Sequence, residues 1–176
     1  MNIYNIEELS KYKVGYLFLD TSSLIAIINY IGEFSHILYK LKENGRALVT
    51  IPSISFEFSR TTNIESYNSR IEFIKEFVSI YPIEKYLHKF TPLVPVLHKT
   101  NGKLSYSDFL LYCCLYEFQG SILLTENHKD FTPTLLDREL TLTIDREDED
   151  QLRNISVYSF SYPKYNKAAE KILKNK

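Results

Sequence analysis

The chain has 176 residues, a length typical of one domain with a three-layer core. Its 44% hydrophobic and 24% charged residues, with few Gly and Pro, argue against long disorder. The formal net charge of −1 at pH 7 excludes a general surface for tight, sequence-indifferent duplex binding, so a nucleic-acid ligand would have to be held locally.

Signals for export or membrane insertion are not expected. Glu7 and Glu8 lie in the first residues, Asp20 breaks the first apolar run, and no apolar run has the length of a membrane span. Cys113 and Cys114 are neighbours in an apolar helical pattern, so they point about 100° apart and favour core packing over a disulfide. The sequence therefore predicts a cytoplasmic protein without membrane contact.

The first strong pattern is a short apolar run that ends in a carboxylate. Tyr16–Leu19 has the length of a buried parallel strand, and Asp20 follows it directly. The hydroxyl residues 21–23 then indicate the start of a helix. Asp20 is therefore predicted at the carboxyl end of a central strand, where open α/β sheets place their ligands. Because burying a charge is costly, a metal ion or helix N-terminal N–H groups are expected beside it.

The other elements are predicted from apolar periodicity and turn residues. Residues 1–15 are expected to form a polar lead-in with one helical turn. Residues 82–104 contain three prolines and are expected to hold a short helix near 84–90 and a strand or loop near 93–97. The other predicted helices cover residues 24–30, 34–43, a short stretch from Ser53, 68–81, 105–118 and 165–173; the other strands cover 47–51 and 121–125, with a turn or short helix at 127–131.

The C-terminal part has a different pattern. Residues 139–144 and 156–160 alternate between polar and apolar side chains, and the acidic run 145–150 lies between them. That alternation predicts an antiparallel hairpin at a sheet edge, closed by a solvated acidic loop.

These elements predict an α/β fold in three layers, with a central, mainly parallel sheet flanked by helices. We expect a single domain over residues 1–176. Its core covers residues 16–131, and residues 132–176 form a C-terminal extension with the edge hairpin, the acidic loop and a terminal helix.

Four acidic residues share one sequence context, since each follows a predicted strand or lies in the first turn of a predicted helix. Parallel strands open on the same edge of a sheet, so these acids are expected to converge on one cleft. Carboxylates at such distances repel each other unless cations neutralise them. Oxygen ligands without Cys or His select Mg²⁺ or Mn²⁺. The candidate catalytic residues and metal ligands are Asp20, Glu57, Asp108 and Asp130.

Each acid also has a structural interpretation. Asp108 follows Ser105, and Asp130 follows Asn127, at the spacing of a capping box. Glu57, on a short predicted helix, is typical of an ion pair with the arginine three residues later. Asp20 is the hardest to explain structurally, because the end of a strand does not need an acid.

The motifs that carry these acids resemble those of a known family. Residues 19–24 read Leu-Asp-Thr-Ser-Ser-Leu, residues 52–57 follow the pattern Pro-Ser-x-x-x-Glu, and residues 105–108 read Ser-x-x-Asp at the start of an apolar helix. Residues 123–131 read Leu-Leu-Thr-Glu-Asn-His-Lys-Asp-Phe. Their order and context are similar to those of PIN-domain ribonucleases of the VapC toxin type, over residues 16–131.

The resemblance implies a PIN-like fold, a cluster of three or four acids that binds divalent metal, and cleavage of RNA. By position, the cluster consists of the four acids named above, and Ser22 matches a hydroxyl or amide beside the first Asp. Many members have Asp where this chain has Asn127, so the fourth ligand is open between Asn127 and Asp130. Such toxins imply an antitoxin partner and pair with one another. The many apolar residues of the predicted helix 68–81 also favour a homodimer.

The implied chemistry fits these residue types. A metal ion held by Asp20, Asp108 and Asp130 would lower the pKa of a bound water and stabilise the leaving oxygen of a phosphodiester. Glu57 would complete the coordination shell or orient that water.

Basic residues lie near the predicted cleft. His128 and Lys129 are candidates for contact with phosphate, and Lys99 and Lys103 precede the buried helix. For all four, a solvated loop is the competing interpretation.

Other functions remain open from the sequence. A non-catalytic PIN-fold module that binds RNA or protein is the main alternative, although a decayed site usually loses some acids. A phosphorelay receiver would carry an acidic pair after its first strand, and a phosphatase with an aspartyl nucleophile would have a second Asp where this chain has Ser22.

Overall fold

A seven-stranded mixed sheet lies at the centre of the computed structural model, which describes residues 2–11, 15–145 and 152–174. The strands are β1 (Asn2–Tyr4), β2 (Tyr16–Leu19), β3 (Ala47–Thr50), β4 (Val78–Ile80), β5 (Ile122–Thr125), β6 (Leu136–Asp145) and β7 (Arg153–Phe160). Their order across the sheet is β1-β6-β7-β5-β2-β3-β4.

The sequence predicted a mainly parallel sheet, and this prediction is wrong because the sheet is mixed. Strands β5, β2, β3 and β4 are parallel, whereas β7 is antiparallel to β5, β6 to β7, and β1 to β6. The predicted C-terminal hairpin exists as β6 and β7, but it does not form a free edge. Strand β7 satisfies the backbone groups that β5 would otherwise leave open, and β1 covers β6 in turn.

Helices on both sides of the sheet complete three layers. Leu17, Phe18 and Leu19 of β2 alternate between the two faces of the sheet, and all three are fully buried, so both faces are covered. No helix among the described residues combines the length and the apolar character that a membrane span requires. The α-helices are α1 (Thr21–Asn29), α2 (Ile31–Glu43), α3 (Pro52–Ser59), α4 (Ile64–Phe77), α5 (Leu93–Thr100), α6 (Tyr106–Glu117) and α7 (Tyr162–Leu173), with 3-10 helices at Ile6–Lys11 and Ile83–Phe90.

Helix boundaries follow capping chemistry where a capping residue is present. Asp20, Asn63 and Ser105 each accept a hydrogen bond from a first-turn N–H and start α1, α4 and α6. Gly45, at φ +69°, adopts the left-handed conformation that ends α2, as is common for a glycine just after a helix. Helix α6 is buried on more than one side, as its apolar composition predicted.

The predicted helix over residues 68–81 is wrong at its C-terminal end. Helix α4 stops at Phe77, and Val78–Ile80 forms the parallel strand β4 beside β3. The β-branched residues Val78 and Ile80 favour a strand, and the residue before Pro82 is disfavoured in a helix. The many apolar residues of segment 68–81, which had favoured a homodimer, are therefore partly explained by the sheet, because Val78 and Ile80 belong to β4.

Two further segments differ from the prediction. Residues 93–97, expected as a strand or loop, lie in helix α5. The helix tolerates Pro95 because this residue falls in the first helical turn, where N–H groups have no helical partner. Residues 2–4 of the expected lead-in form strand β1. Most of the predicted acidic loop, residues 146–150, lies outside the described residues.

Candidate active site

Asp20 lies between the end of β2 and the start of α1, and its carboxylate is held by several donors. Its side chain is the N-cap of α1, with Oδ1 accepting from the Ser23 N–H at 2.7 Å. The Ser22 hydroxyl lies 2.8 Å from both Oδ1 and Oδ2 and donates to them. The Thr125 hydroxyl donates to Oδ2. With 6% of its surface exposed, Asp20 is a buried anion whose hydrogen bonds are satisfied by the protein.

Threonines on the neighbouring strands fix the end of β2. Leu19 is in register with Leu124, so Asp20 lies opposite Thr125. On the other side, the buried Thr50 hydroxyl donates to the Leu19 carbonyl at 2.9 Å. These threonines were not predicted as part of the site from the sequence. A sequence signal for them exists, because each threonine lies at the end of a short apolar strand, in the same way that Asp20 directly follows β2.

Asp108 lies in the first turn of α6, where it is 9% exposed. Its N–H donates to the Ser105 hydroxyl at 3.1 Å, and that hydroxyl lies 2.6 Å from Asp108 Oδ2. The predicted cap is therefore present. The Ser107 hydroxyl donates to the Ser53 hydroxyl at 3.1 Å, which joins the start of α6 to the start of α3.

Glu57 lies on α3 and is exposed. Its Oε2 accepts a hydrogen bond from the Thr21 hydroxyl at 2.7 Å. Within the described residues it forms no ion pair with Arg60, so that structural interpretation is wrong. The bond to Thr21 instead connects Glu57 to the start of α1, next to Asp20.

Asp130 and Asn127 lie in the turn that follows β5. The Asp130 N–H donates to Asn127 Oδ1 at 3.4 Å, which is the predicted cap. In addition, Asn127 Nδ2 donates to Asp130 Oδ2 at 2.6 Å, so one carboxylate oxygen of Asp130 already has a protein donor. Asn101 and Tyr112 both donate to the Asp130 carbonyl and fix the turn against α5 and α6.

All four acids line one cavity of about 420 Å³ at the carboxyl ends of the parallel strands. We call it the acid cavity. The basic residues proposed near the cleft, His128, Lys129, Lys99 and Lys103, do not line it. The Nδ1 of His128 lies 3.4 Å from the Tyr158 hydroxyl. The predicted residues that line the acid cavity are Asp20, Ser22, Glu57, Asp108, Asn127 and Asp130.

Burial disfavours the charged form of two of these carboxyls. Loss of water raises the pKa of Asp20 above its ordinary value, and the hydrogen bonds from Thr125, Ser23 and Ser22 offset part of the rise.

Burial raises the pKa of Asp108 as well, against the lowering effect of the Ser105 hydrogen bonds. The negative charges of Asp130 and Asp20 raise the Asp108 pKa further. Asp108 is therefore close enough to Asp20 and to Asp130 to be repelled by both, which a bound cation would relieve.

Oxygen atoms remain available in the acid cavity. Among the described residues, Oδ1 of Asp108, Oδ1 of Asp130 and Oε1 of Glu57 accept no hydrogen bond from the protein. No three His, Cys, Asp or Glu side chains in the described part of the chain are grouped so that they could hold one metal ion.

Comparison with known proteins gave no match: no family model fits the chain, and no curated protein or solved structure is significantly similar to it.

For Asp20→Asn in metal-free buffer, we expect a free energy of unfolding at neutral pH equal to or above that of the wild type. The amide keeps the size of the side chain and removes a buried charge that Asp108 repels. Because burial raises the folded-state pKa of Asp20, the wild type loses stability as the pH rises through that pKa. The advantage of the variant should therefore grow from about pH 4, the ordinary carboxyl value, to neutral pH.

Thermal melting in EDTA measures this effect. Glu65→Gln, which removes an exposed charge on α4, is the matched control and should show no such growth with pH. Unfolding of Asp20→Asn under these conditions would mean that the carboxylate is needed for the fold.

Proposed function

We propose that this protein is a divalent-metal-dependent ribonuclease with a PIN-like fold, which hydrolyses phosphodiester bonds in the acid cavity. One observation carries the proposal: four acids from separate elements line a single cavity at the carboxyl ends of parallel strands. Open α/β sheets bind their ligands at this edge. The resemblance of the acid motifs to PIN-domain ribonucleases supports the same function.

The chemistry of the donor set fits Mg²⁺ or Mn²⁺. Carboxylate, hydroxyl and amide oxygens line the acid cavity, and neither Cys nor His is among its lining residues. The repulsion of Asp108 by Asp20 and Asp130 favours a cation beside it. The residues that would hold it are Asp20, Asp108, Asp130 and Glu57. Since no three of the described acids are grouped around one point in the structure, these side chains would have to move together around the ion. When bound, the metal supplies an activated water and neutralises charge on the phosphodiester.

The chain itself supplies position and orientation. Ser22 and Thr125 hold the carboxylate of Asp20 in one orientation, and Ser105 does the same for Asp108. Glu57 is the most exposed of the four acids, so its Oε1 is suited to orient the attacking water. Fixing the acids before substrate arrives lowers the entropy lost in reaching the reactive geometry.

The main alternative is a non-catalytic PIN-fold module that binds RNA or a protein. One observation favours it: both carboxylate oxygens of Asp20 already have protein donors, so Asp20 is satisfied without a metal. Metal titration separates the two functions, because only the nuclease requires a cation in the acid cavity.

The biological setting is also proposed by resemblance. We propose a cytoplasmic toxin that cuts RNA, pairs with an antitoxin protein and forms a homodimer. A small neighbouring reading frame that encodes a DNA-binding protein would support the antitoxin, and sedimentation at micromolar concentration tests the homodimer.

The purified protein should cleave single-stranded RNA with Mg²⁺ or Mn²⁺ and stop in EDTA, because the acids alone would repel the phosphate. Asp20→Asn should reduce cleavage by several orders of magnitude, whereas Glu65→Gln should leave it unchanged. A gel assay on labelled RNA measures both. Cleavage that continues in excess chelator would refute the metal-dependent function.

Asp130→Ala should weaken Mn²⁺ binding and cleavage more than Asn127→Ala does, because a neutral amide attracts a divalent cation less than a carboxylate does. Asn127→Ala should instead lower the free energy of unfolding by about 1 kcal/mol, the usual effect of a lost cap. Titration calorimetry and melting curves on the two variants measure these effects. The opposite order of metal affinities would assign the fourth ligand to Asn127.

A further inference from the structure

A second cavity, of about 340 Å³, is lined by four lysines from two helices. Lys99 belongs to α5, whereas Lys164, Lys167 and Lys171 belong to α7. We call it the lysine cavity. None of the residues that line it is acidic. The concentration of positive charge is local, since the whole chain has a formal net charge of −1.

The four lysines differ in their partners. Lys164 is engaged by the protein, because its Nζ lies 2.7 Å from Asp137 Oδ1 and donates to the Pro133 and Leu136 carbonyls. Lys99, Lys167 and Lys171 are exposed and have no carboxylate partner within the described residues.

Lysines on an exposed helix face are ordinarily solvated, but this arrangement differs from a solvated face. Helices α5 and α7 pack against each other, so their lysines surround one concavity. Like charges around a concavity repel each other, and an anion placed among them relieves that repulsion. Ala168 and Ile172 supply an apolar floor between them, on which a planar base can pack.

The lysine cavity is connected to the acid cavity through Asp130. Thr100 lines the lysine cavity, and the next residue, Asn101, donates to the Asp130 carbonyl. Thr134 also lines the lysine cavity and follows Asp130 by four residues. Since consecutive Cα atoms are 3.8 Å apart, the Cα atoms of Asp130 and Thr134 are at most about 15 Å apart. The two cavities are therefore neighbours within the reach of a short oligonucleotide.

We infer that the lysine cavity binds the phosphates of single-stranded RNA that flank the bond in the acid cavity, so that the strand passes over Asp130. The inference rests on the proposed ribonuclease function. Lys99, Lys167 and Lys171 contact the phosphates, and Lys164, which the protein already holds, shapes the wall. A strand with alternating phosphates and bases matches both the cations and the apolar floor, and it continues into a site that accepts phosphodiesters.

The test compares two double variants with the same change of charge. Lys167→Gln/Lys171→Gln removes two lysines of the lysine cavity. Lys42→Gln/Lys75→Gln is the matched control, because these exposed lysines lie at the amino ends of β3 and β4, at the opposite edge of the sheet. Binding of fluorescent oligouridine is measured in EDTA over a range of salt concentrations, and melting curves check that each variant is folded.

The salt dependence is the decisive measurement. For single strands, the slope of log K against log salt changes by about 0.7 for each phosphate contact, so the loss of two contacts should make the slope shallower by about 1.4. The control should keep the slope of the wild type. An unchanged slope for Lys167→Gln/Lys171→Gln overturns the inference. A poly-glutamate peptide is titrated in parallel as a different polyanion, and a variant that loses affinity for this peptide but not for RNA also overturns the inference.

Cleavage of the same RNA with Mn²⁺ separates this inference from the proposed function. If the wild type cleaves RNA but the slope does not depend on Lys167 and Lys171, the ribonuclease function stands and the lysine cavity does not bind its substrate. If the wild type binds RNA through these lysines but does not cleave it, the lysine cavity remains an RNA site and the nuclease function is refuted.

Discussion

The burial of the Asp20 side chain, which must have hydrogen-bond partners inside the protein, is the constraint around which the rest of the site is arranged. An unsatisfied charge in the interior costs several kcal/mol, so the chain has to bring donors to it. The hydrogen bond from the Ser23 N–H to Asp20 forms only because α1 starts directly after β2. The Thr125 hydroxyl requires that β5 lies beside β2 in its observed register. Thr125 also accepts from the Asn127 N–H, so the same interaction shapes the turn that carries Asp130. One anion thus links two strands, a helix and a turn.

The C-terminal extension takes part in this network. Arg153, at the start of β7, pairs with Glu126 at 2.6 Å, and the Glu126 N–H donates to the Ser22 hydroxyl, which in turn donates to Asp20. Strand β7 therefore supports the acid cavity through the residue that follows β5, as well as completing the sheet. The resemblance to a nuclease family stops before residue 132, but the physical support of the site does not.

Charge is distributed unevenly over a nearly neutral chain. The acid cavity collects carboxylates that repel each other, and the lysine cavity collects cations a few residues away, with Asp130 and Asn101 between them. A metal ion would turn the first cavity into a site for anions, and the second already attracts them. A polyanionic strand would then bind both cavities, whereas net charge alone indicates no such ligand.

The sequence alone predicted strands β2, β3 and β5, the caps at Ser105 and Asn127, and the four acids that line one cavity. These features depend on neighbours in the chain: apolar runs, capping residues and the common edge of parallel strands. Tertiary structure decided that Val78–Ile80 is a strand, that residues 2–4 join the sheet and that residues 93–97 are helical. Such short segments have no strong preference for helix or strand, so the neighbouring elements that can form hydrogen bonds and contacts with them determine their conformation. Tertiary structure also decided the distant hydroxyl partners of the acids, Thr125 for Asp20 and Thr21 for Glu57, and the convergence of lysines from α5 and α7. Those contacts join residues far apart in the chain, so sequence spacing can place each residue on an element but cannot show which residues pair.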